Sequence, residues 1–185
     1  MTKTRMRQEM ILRRRAMSAA VAERCSRQAQ RRFVQLPEFA SARVVAVYLA
    51  MPGEVETDRI LAAAWAAGKL VAVPAWRTEA GRYEWTEIRE ADAVGPGPWR
   101  TLEPEPKRWM TMREIGIIAV PGVAFDAQGR RLGRGGGHYD RLLADAGEVV
   151  KVGLLFDMQR VEAVPVSRWD VSMNKLVTDK GVLVV

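Results

Sequence analysis

Two short apolar runs with a helical segment between them constrain this chain more than anything else in it. Residues 43–50 read RVVAVYLA and residues 70–73 read LVAV. Neither run alternates polar with apolar residues, so each is expected to be a strand buried on both faces. Between them Met51-Pro52-Gly53 ends the first run, Thr57 is placed to cap a short helix over 58–67, and Gly68 closes that helix. Strand, helix and strand in this order make a parallel pair joined by a right-handed crossover. Pro74 is expected to stop the second strand, because it has no N–H for a ladder.

The same pattern continues along the chain. Residues 115–121 and 151–156 are further buried strands, 83–88 is a strand of mixed character, and 181–185 is a short last one. A helix is expected over 139–146. Residues 2–36 read as helix, with no Gly or Pro before Pro37, a break near Ala16–Met17, and Ser18 restarting the helix as an N-cap. Gly95-Pro-Gly-Pro98 and Glu103-Pro-Glu-Pro106 read as loops within an insertion over 95–108. The alternation of strand and helix predicts an α/β chain, a three-layer α/β/α sandwich with a mainly parallel sheet, as one domain over residues 1–185.

Charge is unevenly placed. The net charge is +7, but residues 1–32 hold ten Lys/Arg against two Glu, and the remaining 153 residues hold 19 basic and 20 acidic side chains. The basic character therefore belongs to the N-terminal helix, which suggests a local anion site or a basic arm. Arg13–Arg15 are read as surface charge. A single cysteine, Cys25, cannot form an internal disulfide, and the apolar runs are too short to span a bilayer. With no secretory signal at the start, the expectation is a cytoplasmic protein with no membrane partner.

The stretch RRLGRGGGHYDRLL (131–144) carries the chemistry. Gly133, Gly135, Gly136 and Gly137 fall between a buried strand and a helix, where parallel sheets bind ligands. Such a loop can turn its N–H groups toward one phosphate and let it come close. Arg131 and Arg134 add charge, the helix start near Tyr139 adds its dipole, and Asp140 can hold a magnesium ion. Together these parts describe a nucleoside-triphosphate site, although spacing alone would equally allow a tight turn. The loop matches neither the GxxxxGK[ST] phosphate loop nor the dinucleotide fingerprint. His138 is the only histidine, so neither a zinc centre nor a Ser-His-Asp site is expected.

AFDAQGRRLGRGGGHYDRLL (124–143) closely resembles the signature of the 5-formyltetrahydrofolate cyclo-ligase family. KTRMRQEMILRRRAMS (3–18), YLAMPGEVET (48–57), VPGVAFD (120–126), and GLLFDMQ followed by VPVSRWDVSMNKLVTDKGV (153–182) extend the resemblance, in order, over nearly the whole chain. The resemblance implies a fold similar to that of sugar-phosphate isomerases and CoA transferases. It implies conversion of 5-formyltetrahydrofolate, with or without a polyglutamate tail, into 5,10-methenyltetrahydrofolate, with ATP and Mg2+ required and ADP and phosphate released. The formyl oxygen would attack the γ-phosphate, and a folate nitrogen would then close the ring as phosphate leaves. Positioning and charge neutralisation would supply most of the catalysis.

Carried over residue by residue, the resemblance assigns Lys3, Arg7, Arg131, Gly133, Arg134, Gly135, Gly136, Gly137, His138 and Tyr139 to ATP. Arg134, His138, Tyr139 and Asp140 would surround the reacting groups, with Asp140 and Asp170 on the metal. Met51 and Glu56 match substrate contacts; Glu54 is close by, and spacing does not say which glutamate points inward. Trp76, Tyr83, Trp85, Trp99 and Trp109 are candidates for stacking on the folate rings, with Trp99 taken as the contact. Four positions depart from the family pattern. His138 stands where a tyrosine is usual, Gly116 where an aspartate is, Ala75 where an arginine is, and Trp169 where a histidine is. Activity is expected to persist with a pH dependence between about pH 6 and 8, because histidine titrates there. Competing expectations are a non-catalytic folate or nucleotide binder of the same fold, and nucleic-acid binding through the basic helix. The preferred reading has no nucleic-acid partner and acts as a monomer.

Overall fold

The N-terminal segment forms two helices in the computed structural model, which describes residues 2–99, 101–106 and 108–185. Helix α1 (Lys3–Arg15) starts at Thr2, whose hydroxyl accepts from the Arg5 amide. Helix α2 (Ala19–Val34) starts at Ser18, whose hydroxyl accepts from the Val21 amide at 3.4 Å. The break thus falls where the N-cap serine placed it. Pro37 does not end helical structure. It opens a further short helix, α3 (Pro37–Ser41), at the first helical position, where a missing N–H costs no hydrogen bond.

The remaining elements follow in the order β1 (Val44–Ala46), α4 (Asp58–Ala66), β2 (Leu70–Arg77), β3 (Arg82–Ile88), β4 (Val94–Pro96), β5 (Leu102–Pro104), β6 (Trp109–Met110), β7 (Ile117–Val120), β8 (Ala124–Phe125), β9 (Arg131–Leu132), α5 (His138–Leu142), β10 (Val150–Leu154), β11 (Lys175–Val177) and β12 (Val182–Val184). Eight strands form one sheet in the order β12-β11-β10-β7-β1-β2-β3-β6. The five from β11 to β2 are mutually parallel; β12, β3 and β6 pair antiparallel at the flanks. Counted in chain order, the parallel strands run 5-4-3-1-2, so the winding reverses between β1 and β7. The carboxyl ends of strands at such a reversal leave a crevice open to ligands.

Alternate side chains of the parallel strands enter two apolar layers. Val45, Val47, Val71, Ile117 and Val152 pack with Phe33 of α2, Phe39 of α3 and Ile60 of α4. Val44, Ala46, Ala72 and Ile118 pack on the other face with Phe125, Leu142, Leu143 and Ala146. This second layer is thin. Helix α5 was expected over 139–146 but has five residues, because Ala144 and Ala146 donate three residues back and Gly147 turns at φ +46°. Helix α1 closes this side, with Met6 and Met10 packed against Val123, Ala124, Leu132 and Val164. No helix among the described residues is long and apolar enough to cross a membrane.

Three local expectations are corrected. Strand β2 runs through Pro74 to Arg77. The Ala72 carbonyl accepts from Val47 on the β1 side, so two residues on the Pro74 nitrogen faces the same side, past the last β1 pairing, where no ladder bond is due. The Gly-Pro and Glu-Pro stretches are only in part loops: Gly95-Pro96 and Glu103-Pro104 pair in an antiparallel hairpin of β4 and β5. Thr57 makes no cap; its hydroxyl donates to the Tyr48 carbonyl at 2.7 Å and ties the start of α4 to the segment leaving β1.

Candidate active site

The chain leaves β1 through Tyr48 and Leu49 and leaves β7 through Pro121 and Gly122, and all four line a cavity of about 690 Å³. The cavity therefore sits at the winding reversal. Tyr48 is anchored there by donating to the Val55 carbonyl at 2.6 Å, and burial pushes its hydroxyl well above the usual tyrosine range.

One wall is cationic. Lys3 and Arg7 lie one turn apart on α1 and both face the cavity. The Lys3 ammonium donates to Asp170 at 2.6 Å and to the Ser167 hydroxyl at 3.0 Å. Arg7 donates to the Gly133 carbonyl at 2.8 Å, tying α1 to the glycine loop. The buried Arg131 guanidinium donates to Asp140 at 2.6 Å and lies 5.6 Å from the Tyr139 ring. Arg134 donates twice to one oxygen of Glu54, at 2.9 and 3.2 Å, while the other oxygen accepts from the Met51 amide at 3.1 Å. Gly135 and Gly137 hold φ of +111° and +63°, which a side chain would strain. The amides of residues 134–137 donate to no protein acceptor among the described residues and are free for a ligand.

The other wall is aromatic. The His138 ring centre lies 5.3 Å from that of Tyr83, 5.5 Å from Trp99 and 6.4 Å from Trp76. Tyr83 donates to Glu103 at 3.0 Å, and the other oxygen of Glu103 accepts from the Trp76 amide at 2.8 Å. Glu103 thus clamps the β4–β5 hairpin over β2 and β3. Burial pushes the Tyr83 hydroxyl up to about 12. His138 sits below its ordinary 6.5, first because it is partly buried and second because Arg141 lies against its Nδ1 at 3.2 Å.

Most residues expected from the sequence come together here. Lys3, Arg7, Met51, Glu54, Trp99, Arg131, Gly133, Arg134, Gly135, Gly136, Gly137, His138, Tyr139, Asp140 and Asp170 all line the one cavity. Glu56 does not: its side chain is exposed outside it, and its amide donates to Ser26 at 2.7 Å. Glu54 is the inward glutamate. Trp85 is buried in the core and Trp109 stacks under Arg77, so neither reaches the cavity. The dipole expected from α5 is also corrected, since five residues make too short a helix to present one. Gly116 is explained by packing: a Cβ there would fall 2.8 Å from that of Ala42. Arg14, expected at the surface, is buried. Its signal was present in the sequence, because Met6, Met10 and Arg14 continue one stripe at four-residue spacing.

The acids suit a magnesium ion that arrives with phosphate. Asp140 and Asp170 both line the cavity, and among the described residues no three acidic, His or Cys side chains gather into a cage. Magnesium is commonly held by one or two carboxylates together with substrate phosphates and water. Two buried polar atoms here, Arg131 Nε and the Tyr139 hydroxyl, have no protein partner, as a site completed by a polar ligand would leave them.

The model of the 5-formyltetrahydrofolate cyclo-ligase family matches residues 1–179. The 5-formyltetrahydrofolate cyclo-ligase of Escherichia coli (strain K12) is 31% identical over 175 residues, covering 92% of this chain and 96% of that one. A probable 5-formyltetrahydrofolate cyclo-ligase of Caenorhabditis elegans is 29% identical, covering 84% and 83%. Among solved structures, the 5,10-methenyltetrahydrofolate synthetase of Aquifex aeolicus superposes with a TM-score of 0.88 at 31% identity, covering 100% of this chain and 93% of that one.

Proposed function

Because the chain belongs to the 5-formyltetrahydrofolate cyclo-ligase family, we propose that it converts 5-formyltetrahydrofolate into 5,10-methenyltetrahydrofolate in the cavity between β1 and β7, consuming MgATP and releasing ADP and phosphate. The observation that carries this reading is the division of one cavity into a cationic wall with free amides and an aromatic wall. A reaction that phosphorylates the formyl oxygen of a flat heterocycle needs both within one enclosure.

On this reading the phosphates lie along the amides of the glycine loop, flanked by Lys3, Arg7, Arg131 and Arg134. Asp140 and Asp170 would hold magnesium, which neutralises phosphate charge when bound. Arg131 aims Asp140 by its hydrogen bond, and Lys3 does the same for Asp170. Met51 and Trp99 face the folate rings, and the Glu54 carboxylate can accept from the N–H edge of the pterin. His138 and Tyr139 stand where the two walls meet and would press the formyl group toward the phosphate. With the side chains orienting and neutralising, no protein nucleophile is called for. The tail of the substrate, with or without further glutamates, would leave by the open rim near Trp99. On this reading the working unit is a monomer. Cys25 is a free thiol, which suits the cytoplasm.

The test is direct. Purified protein is mixed with 5-formyltetrahydrofolate and MgATP, and the near-ultraviolet absorbance of the methenyl product is followed. An ATP-dependent rise is expected. A folded protein that binds both ligands without a rise would turn the reading toward a binding role.

A further inference from the structure

Arg141 is left without a task by the reading above. It stands on α5, three residues after His138, and turns back over the glycine loop. Its Nη2 donates to the Gly136 carbonyl at 2.8 Å and to His138 Nδ1 at 3.2 Å. The guanidinium also fills the space beside Gly137, where a Cβ would fall 3.1 Å from Nη1. Three contacts thus fix a side chain that otherwise faces solvent.

The contact with His138 decides which ring nitrogen carries the hydrogen. A guanidinium has five N–H donors and no acceptor. The nitrogen it meets must offer a lone pair, so Nδ1 of the neutral ring is bare and Nε2 holds the hydrogen. Nε2 has no protein partner among the described residues. It lies against the loop: a Cβ on Gly136 would fall 2.6 Å from both Nε2 and Cδ2, so this ring edge occupies the room that a side chain would take. Gly136 and His138 line one cavity, and the free amides of residues 134–137 open into it. The ring is held on other sides by Tyr83 and Trp99.

We propose that Arg141 is a positioning residue: it fixes His138 as the Nε2–H tautomer and so adds one neutral, directed donor to the free amides of the glycine loop, aimed at a phosphate oxygen of the nucleotide. Without Arg141 the ring divides between two tautomers. In the second one a lone pair faces the phosphate and repels it. This inference rests on the reading that the glycine loop binds the phosphates of ATP.

The chain has one histidine, so its ring is read without ambiguity. The experiment records nitrogen-15 spectra of the imidazole at about pH 8.5, where a histidine is neutral. It adds MgATP binding by calorimetry and the KM for 5-formyltetrahydrofolate, for the wild-type chain, R141M, R141K, H138F and R141M/H138F. In the wild type, Nδ1 should show the shift of a bare ring nitrogen and Nε2 that of an N–H. In R141M the two shifts should move toward each other. The Kd for MgATP should rise about fivefold, the scale of one hydrogen bond, and the folate KM should not move. R141K keeps a donor and should recover part of both effects. H138F has no tautomer to fix, so R141M should add nothing there. Unmoved ring shifts in R141M overturn the proposal. So does a full R141M effect on top of H138F, which would place its action on the Gly136 carbonyl. A raised folate KM with an unchanged MgATP Kd also overturns it, by giving the Nε2–H to the folate. If the wild-type chain binds no MgATP, the nucleotide reading falls and takes the proposal with it; a normal wild-type Kd with an indifferent R141M sinks the Arg141 role alone.

Discussion

The two walls of the cavity are built on opposite plans. The cationic wall is assembled from segments far apart in the chain, namely the start of α1, the loop after β9 and the stretch holding Asp170. These are joined by ion pairs: Lys3–Asp170, Arg131–Asp140 and Arg134–Glu54. The aromatic wall is assembled from adjacent strands, β2 and β3, with the β4–β5 hairpin laid over them and His138 pressed in. A wall whose charges are already neutralised by the protein must exchange partners to bind an anion. An aromatic wall only has to release water. Substitutions on the first should therefore act on nucleotide binding and on stability together. Substitutions on the second should act on folate binding and leave stability alone.

The sharpest test of that contrast is D140A. Arg131 has a side chain only 4% exposed, and removing its acid leaves a buried cation unpaired. Stability should fall by roughly 3 kcal/mol, and turnover by about a thousandfold, since magnesium and phosphate lose an anchor together. Folate binding should largely persist, measured by titration of the purified variant. Loss of folate binding with MgATP binding preserved would reverse the assignment of the two walls.

W99A is the matching test on the aromatic side. Trp99 is 56% exposed at the rim, so thermal unfolding should not change. The KM for 5-formyltetrahydrofolate should rise about tenfold, the scale of one lost stacking contact, with the KM for ATP unmoved. A shift in the ATP KM instead would show that the walls do not divide the ligands. A smaller effect is expected of K3A. The Lys3–Asp170 pair is a fifth to a quarter exposed, so its removal should cost at most about 1 kcal/mol of stability. The KM for ATP should rise about fivefold and the difference should shrink at high salt. Salt-independent behaviour would mean that Lys3 only packs.

The same contrast explains what could be read from the sequence. Four of the five parallel strands were legible because burial on two faces forces continuous apolar runs at 43–50, 70–73, 115–121 and 151–156; β11, three residues beginning with a lysine, offered no such run. The glycine loop was legible because its backbone demands and its charges are local. The aromatic residues were legible by type, with Trp76, Tyr83 and Trp99 among the stacking candidates, but their meeting with His138 was not, since it depends on strand pairing and on a hairpin whose proline-rich sequence reads as loop. Pro74 misled because a proline is tolerated once the neighbouring strand has ended. The choice between Glu54 and Glu56 needed the turn geometry after β1. Arg14 is the instructive miss: charge placed it outside, but the periodicity of Met6 and Met10 placed it inside, and periodicity was right.

The smallest predicted effect concerns His138, whose side-chain type ordinarily titrates near neutrality. Its proton affinity is lowered, first by burial and then by Arg141. The unfolded chain therefore binds a proton more readily than the folded one. The contribution to stability is fully present above the unperturbed 6.5 and is lost as pH falls toward the folded value. This narrows the expectation drawn from sequence. Activity and melting temperature should be level above about pH 7, and both should decline below the unperturbed value as the ring charges among its aromatic neighbours. H138F removes the proton site and keeps a ring, so its profiles should lose that acid limb. If wild-type and H138F profiles coincide over the whole range, His138 serves only as a flat surface. The aromatic wall would then be uncharged in every state, and all the ion chemistry of the cavity would belong to the wall opposite.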